Sequence, residues 1–386
     1  FGDNKYKVAE KGAAYMKGLQ DEGVLVTLKH FPGHGDTDVD SHHDLPQLNF
    51  TRERLDSLEM YPCRAVIRQG ASGIMVAHMN IPSLDPTPKL PSTLSQPIVT
   101  GILKNDLGYK GLIFSDAMDM KGVSKYYKDG EAEVRGLEAG MDVLELAEDS
   151  RVAIREIRKA IRRDRLSWDR INASVKKVLA AKYWAGLSER KDIALDNLAS
   201  DLNGTEARAL NEKLADAAVT VLNGDSLIRA FDPAKRTALV AVGADAITPF
   251  QKELQGHFTN SLPFLVRKNA APADLQNMLK ELAGYDQVIV GVFDQRKRPG
   301  SVLDFSQDVK LLIPQLAGMN SIVSVFANPY TIAGLPGIEK AGTLLVNYQN
   351  SEDLQRSAAK VIRGTLKATG KLPVTINSFF KNGDGL

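Results

Sequence analysis

The sequence predicts an α/β protein made of two successive units, and three observations carry that reading. Short apolar, partly β-branched runs alternate with helix-patterned stretches up to residue 184. The rhythm lapses over the polar residues 186–210, then resumes with fresh strand and helix signals. Strands that alternate with helices pair in parallel under a helical cover. At 386 residues, 43% hydrophobic and 25% charged, the composition is that of an ordinary globular protein long enough for two or three domains. A net charge of +2 argues against nucleic-acid or membrane-surface binding by bulk electrostatics. Cys63 stands alone, which excludes a disulfide framework and leaves the compartment open. No run of 18 apolar residues exists, so no spanning helix is expected. The chain begins at Phe1 without Met, which reads as a cut or processed start.

In chain order, residues 4–19 are helical by spacing and lead into an apolar strand at 24–28. Thr51 is placed to cap a helix that turns Leu55, Leu58, Val66 and Ile67 inward, is kinked at Pro62 and stops at Gly70. A strand at 73–79 follows, then a Pro-rich loop at 82–91 and a helix over 93–106. The third strand, 111–115, delivers Asp116; a helix over 132–139, a strand over 141–146 and helices near 150–163 and 167–184 complete the first unit. The second unit is read as a doubly wound open sheet, with a helix over 206–218, strands at 237–242, 287–293, 321–326 and 343–347, and helices near 272–282, 306–317 and 352–366. Asn328-Pro329-Tyr330 falls at a strand end, where a turn with Pro at its second position is the plain reading and ligand contact the alternative.

The chemistry concentrates in residues 29–46, which hold His30, His34, His42 and His43 together with Asp36, Asp38, Asp40 and Asp44. Gly and Pro break this stretch too often for helix, so it is a loop at the carboxyl end of a strand, where active sites of strand–helix folds gather. Asp40 and His42 lie two apart, so in extended chain their side chains share a side and can hydrogen-bond. A carboxylate on one imidazole nitrogen fixes the tautomer and leaves the other nitrogen to move a proton. Asp116, at another strand end, supplies the carboxylate that such a pair needs opposite it for nucleophilic chemistry. A zinc site drawn from His30, His34, His42 and His43 is disfavoured, because Pro32 and Gly33 break the spacing that would put two histidines on one helix face. His78, inside an apolar strand, reads as a satisfied core histidine.

Lys29-His30-Phe31-Pro32-Gly33-His34-Gly35, then Asp40-Ser41-His42, then Pro46 resembles the signature of the bacterial β-N-acetylhexosaminidases of glycoside hydrolase family 3. Ser115-Asp116-Ala117-Met118-Asp119-Met120 is similar to that family's nucleophile motif, and Asn328-Pro329-Tyr330 and Gly370-Lys371-Leu372-Pro373 resemble the sandwich domain of its two-domain members. The resemblance implies the C-terminal half of a (β/α)8 TIM barrel followed by an αβα sandwich. Its divisions are a barrel domain at 1–186, a linker at 187–205, the sandwich at 206–375 and a C-terminal tail at 376–386. It implies Asp116 as nucleophile, His42 as acid/base with Asp40 as its partner, and Lys29 and His30 as substrate-binding residues, with neither metal nor cofactor.

The implied activity is retaining exo-hydrolysis of terminal β-linked N-acetylglucosamine from cell-wall or chitin-derived sugars. The implied partner is therefore a carbohydrate. A family 3 β-glucosidase and a non-catalytic sugar-binding relative are the alternatives. Ala117 departs from the second Asp that many relatives carry after the nucleophile. A barrel of this family has eight strands, and only four are read here, so the first half is expected upstream of Phe1, with a further domain in some relatives beyond the C-terminus. The two-domain form tilts the expected compartment toward periplasmic or secreted rather than cytoplasmic. Histidine suits the acid/base role because its intrinsic pKa lies near neutrality without burial.

Overall fold

In the computed structural model, which describes residues 1–37, 39–189, 192–295 and 303–386, the apolar runs of the first unit become four parallel strands. These are β1 (Thr27–Phe31), β2 (Gly73–Val76), β3 (Leu112–Ala117) and β4 (Val143–Glu145), hydrogen-bonded in chain order. Asp38 of the histidine loop and positions 190 and 191 of the expected linker lie outside the described residues. The chain divides into two units, Phe1–Asp192 and Ile193–Leu386.

In the first unit the strands present fully buried Ile74, Val76 and Ile113 to Ile98, Val99, Ile102 and Leu103 of the helical segment Pro97–Asp106. A strand buried on both faces reads as a continuous apolar run, which is why β2 is visible in sequence. The order and the helical connections give a TIM-barrel-like α/β arrangement. Pro62 falls at the start of Tyr61–Ile67, and a wide π turn at Leu55–Glu59 separates that helix from Arg52–Arg54, so the expected single helix is three pieces. Leu58 lies on the exposed side of that break, not inward.

β1 corrects the expected strand at 24–28. Val24 and Leu25 are exposed, whereas Phe31 is fully buried, and pairing runs Thr27 to Gly73, Leu28 to Ile74 and, after an irregularity, Phe31 to Val76. Apolar character at 24–26 suggested the strand, but the buried phenylalanine sets where it lies. Lys29 and His30 therefore belong to the strand itself, and Asp116 likewise lies inside β3.

The second unit carries a six-stranded sheet of β5 (Thr220–Asn223), β6 (Thr237–Val242), β7 (Ser261–Val266), β8 (Gln287–Phe293), β9 (Ser321–Phe326) and β10 (Thr343–Val346). The order is β5-β10-β9-β8-β6-β7, all parallel except the edge strand β5. Alternate residues supply two cores: Val288, Val290 and Val292 face one layer of helices, and Ile289 and Phe293 face the other. The result is an αβα sandwich. β5 and β7 escaped the sequence reading; both are edge strands, and Pro263 inside β7 is tolerated because it pairs on one side only. The last residues hydrogen-bond back to this sheet, with the Leu386 amide donating to the Val221 carbonyl at 3.0 Å.

Phe326 anchors one layer of this sandwich, stacking on Phe293 at 4.9 Å with 8° between planes and meeting Phe250 edge-on. Phe326→Ala opens a cavity among fully buried neighbours and is expected to cost about 3–5 kcal/mol, read as a lowered urea midpoint for the second unit.

Candidate active site

The carboxyl ends of β1, β2 and β3 bring the site together. β3 carries Asp116 to the point where its carboxylate accepts the Ala117 amide at 3.0 Å and lies 3.6 Å from His30 Nε2 of β1. That second distance is long for a hydrogen bond, so the pair is an electrostatic neighbour contact. His78, just past β2, is fully buried between them in sequence and space: its Nε2 contacts the Ala117 carbonyl at 2.9 Å and its Nδ1 the Thr93 hydroxyl at 2.7 Å. A carbonyl only accepts, so Nε2 carries the proton and Thr93 donates to Nδ1. His78 is thus a satisfied core histidine that buttresses the residue after Asp116.

The histidine loop holds the second pair. Asp40 Oδ1 accepts from His42 Nδ1 at 2.7 Å and from the His42 amide at 3.0 Å, while the His42 side chain is 70% exposed. Nε2 is left facing outward, available for proton transfer. No hydrogen bond or ion pair among the described residues joins this pair to Asp116. His34 lies between the two pairs. Its ring meets His30 edge-on at 5.7 Å, its Nε2 lies 3.4 Å from Ser41 Oγ, and its Nδ1 lies 3.0 Å from Thr37 Oγ1. Sequence reasoning weighed His34 only as a metal ligand, although its place inside the same seven-residue motif as Lys29 and His30 was the available signal. Lys29 is exposed and makes no hydrogen bond or ion pair among the described residues. Among them, no three His, Cys, Asp or Glu side chains converge as metal ligands.

The loop is fastened at both ends. Gly33 has φ +140°, and a Cβ there would lie 2.6 Å from Glu59 Cβ, so only glycine lets the chain pass that helix. Arg54 pairs with both Glu59 and Asp36. At the other end Asp44 accepts from Lys125 Nζ and from the Tyr126 hydroxyl, both at 2.7 Å, and the Gly122 amide donates to the Ser41 carbonyl at 3.1 Å. The exposed dyad is therefore carried on an anchored arc.

Burial is the largest influence on His30, His34 and His78 and lowers the pKa of each. The Asp116 carboxylate pulls all three the other way and loses. They are neutral near pH 7. The Asp40 carboxyl is held below its ordinary value, first by the His42 backbone N–H and then by the His42 ring. Hydrogen bonds from Lys125, then Tyr126, then the Leu45 amide hold Asp44 well below the usual carboxylate range.

Strand-end carboxylates facing imidazoles are the equipment of a hydrolytic enzyme, and the comparisons identify which kind. Residues 1–181 match the family model for the glycosyl hydrolase family 3 N-terminal domain. The chain is 27% identical to beta-hexosaminidase A of Pseudoalteromonas piscicida, over 98% of its own length and 70% of that protein. It is 35% identical to a beta-hexosaminidase of Nitrosomonas eutropha, over 37% of its own length and 40% of the relative. A solved family 3 beta-N-acetylglucosaminidase from Paenibacillus sp. superposes with a TM-score of 0.73 at 29% identity, over 96% of this chain and 70% of that one. Residues 1–181 are therefore assigned to the glycosyl hydrolase family 3 N-terminal domain.

Two outcomes follow from this geometry. With three histidines held neutral, the unfolded chain binds more protons than the folded one below the ordinary histidine value near 6.5. Their stabilising contribution is complete above that value and is lost as pH falls below it, so the thermal midpoint should decline steadily from about pH 7 to pH 5. Tyr126→Phe removes one of the two clamps on Asp44 and should speed amide exchange over 40–46 while leaving β2 and β3 protected, read by hydrogen-exchange mass spectrometry.

Proposed function

We propose that the protein is a retaining exo-β-N-acetylglucosaminidase that acts through a glycosyl-aspartate intermediate on cell-wall or chitin-derived sugars. The observation that carries this reading is the Asp40–His42 pair at 2.7 Å, exposed on a loop anchored beside the strand end that bears Asp116. Two relatives named as beta-hexosaminidases and a neighbour named as a beta-N-acetylglucosaminidase support the choice of sugar.

In the first step an Asp116 oxygen attacks the anomeric carbon as the glycosidic C–O bond breaks, and His42 Nε2 delivers its proton to the departing oxygen. In the second step water attacks the same carbon, its proton passes to His42 Nε2, and the Asp116 carboxylate is released. Asp40, already ionised by its hydrogen bonds, stabilises the imidazolium in between. Lys29 and His30 hold sugar hydroxyls beside Asp116.

Asp116→Asn removes the attacking charge at nearly constant shape, so turnover should fall by several orders of magnitude; a variant near wild-type rate would end the assignment. Asp119, exposed and three residues on, serves as the control, with a smaller loss expected. Nitrophenyl N-acetylglucosaminide should be preferred over nitrophenyl glucoside. The reverse preference would favour the β-glucosidase reading.

His42→Ala tests the acid/base role through the leaving group. A sugar alkoxide then departs unprotonated and the first step slows sharply, whereas nitrophenolate needs little help. Glycosyl-enzyme should accumulate as a nitrophenol burst or a one-sugar mass shift. Azide, which needs no deprotonation, should restore turnover and give a β-glycosyl azide. Equal losses on both substrates, with no burst and no azide rescue, would reduce His42 to a positioning residue.

A further inference from the structure

The chain leaves β4 in a conformation that leucine seldom adopts. Leu146, the residue after Glu145, has φ 47°, in the left-handed region where a side chain crowds the following carbonyl, and it is 68% exposed. The apolar run 141–146 reads as strand to its last residue, but β4 ends at Glu145 and the left-handed residue follows it. We propose that Leu146 is a substrate-contacting residue whose side chain packs against a C–H face of the carbohydrate bound at Asp116. This contact rests on the reading of Asp116 as the centre of a carbohydrate site, and it supplies that site with an apolar wall from β4.

β3 fixes where Leu146 begins. The Glu145 amide donates to Ser115 Oγ at 3.0 Å, the Glu145 carbonyl accepts from the Met118 amide at 2.8 Å, and Glu145 pairs with Ala117. Ser115 and Met118 stand on either side of Asp116 in the chain, so the residue before Leu146 is tied to the segment that carries that carboxylate. A left-handed backbone in a bulky residue persists where its surroundings over-determine it, and such residues cluster at ligand sites. The carboxyl end of a barrel strand is also where substrate-facing side chains gather.

The residue type matters as much as the place. Glycine or asparagine would take φ 47° with less strain, so a turn alone does not call for leucine. The core does not call for it either. Leu144, two residues back, packs with Leu94 and Val134 of the helical layer, and an uninterrupted strand would have turned Leu146 to that same side. Exposed instead, its isobutyl group has neither donor nor acceptor and offers a ligand only apolar contact. A pyranose presents hydroxyls at its edge and C–H groups on its faces. Asp116 and His30 supply polar partners, and Leu146, following the strand next to β3, supplies the apolar one, which is the mixture that small-molecule sites use.

The test compares Leu146→Gly with Leu146→Met in the whole chain. Glycine removes the strain and the contact together, so the thermal midpoint should not fall, while KM for nitrophenyl N-acetylglucosaminide should rise about tenfold at little changed kcat, the scale of one apolar side chain's burial. Methionine keeps an unbranched apolar side chain and should retain the wild-type KM. Hydrogen-exchange mass spectrometry adds a readout independent of turnover. N-acetylglucosamine or its β-1,4 disaccharide at millimolar concentration should slow exchange over 116–122, and Leu146→Gly should need about tenfold more sugar for the same protection. A KM and a protection indifferent to Leu146, whatever the midpoint does, would overturn the proposal and leave the hydrolysis at Asp116 standing. Protection that depends on Leu146 in a chain that does not turn over would uphold the contact and sink the hydrolysis. Protection by no sugar would sink both.

Discussion

The candidate active site depends on the parallel register of β1, β2 and β3. Phe31 pairs with Val76, and Val76 with Ser115, so His30 and Asp116, one residue to either side of that row, share a face across the width of β2. A one-residue slip of β3 would turn Asp116 to the opposite face and bring Ser115, now fully buried with its hydroxyl accepting the Glu145 amide at 3.0 Å, into the site. His78 reinforces the register from β2, because its proton goes to the carbonyl of Ala117. Ala117 takes part through its backbone, so the absence of a second aspartate there leaves this connection intact.

On that frame the loop poses an opposite problem. The acid/base role proposed for His42 needs access to both the leaving oxygen and water, which favours exposure, yet an exposed side chain on a long loop would be poorly placed. The protein answers with anchors on either side of the dyad: Arg54 on Asp36 and the Gly33 passage before it, Lys125 and Tyr126 on Asp44 after it. Exposed ion pairs each contribute little stability. Their value here is positional, since two weak anchors at the ends of a short arc restrict its middle more than either does alone. The glycines of this loop are readily taken for hinges, but Gly33 has a different purpose: it permits close approach to Glu59.

Most of the fold was legible in the sequence because buried parallel strands write themselves as uninterrupted apolar runs, as at 237–242, 287–293 and 321–326. The edge strands were not, since β7 alternates exposed and half-buried residues around Pro263 and β5 is only Thr220–Asn223. The Asp40–His42 contact was legible from spacing alone, because two residues apart in extended chain is a local relation. The His30–Asp116 approach was not. It joins residues on strands that are not adjacent, and its register is set by Phe31, whose burial is a property of the packed core.

Four of the six histidines lie in one loop region, and their environments sort them before any substrate arrives. His30 and His34 are partly buried, and desolvation outweighs the nearby carboxylate, so each stays neutral with one N–H donor and one acceptor nitrogen, those of His34 already meeting Ser41 and Thr37. A charged imidazole at His30 would instead pair with Asp116 and blunt it as a nucleophile. His42 is placed in water with its partner carboxylate already ionised, where gaining and losing a proton requires no rearrangement of the core. The separation of duties in the proposed reaction, binding by the desolvated His30 and proton transfer by the solvated His42, accords with where the chain is buried. Moving the dyad inward would place it under the same desolvation that keeps its neighbours neutral.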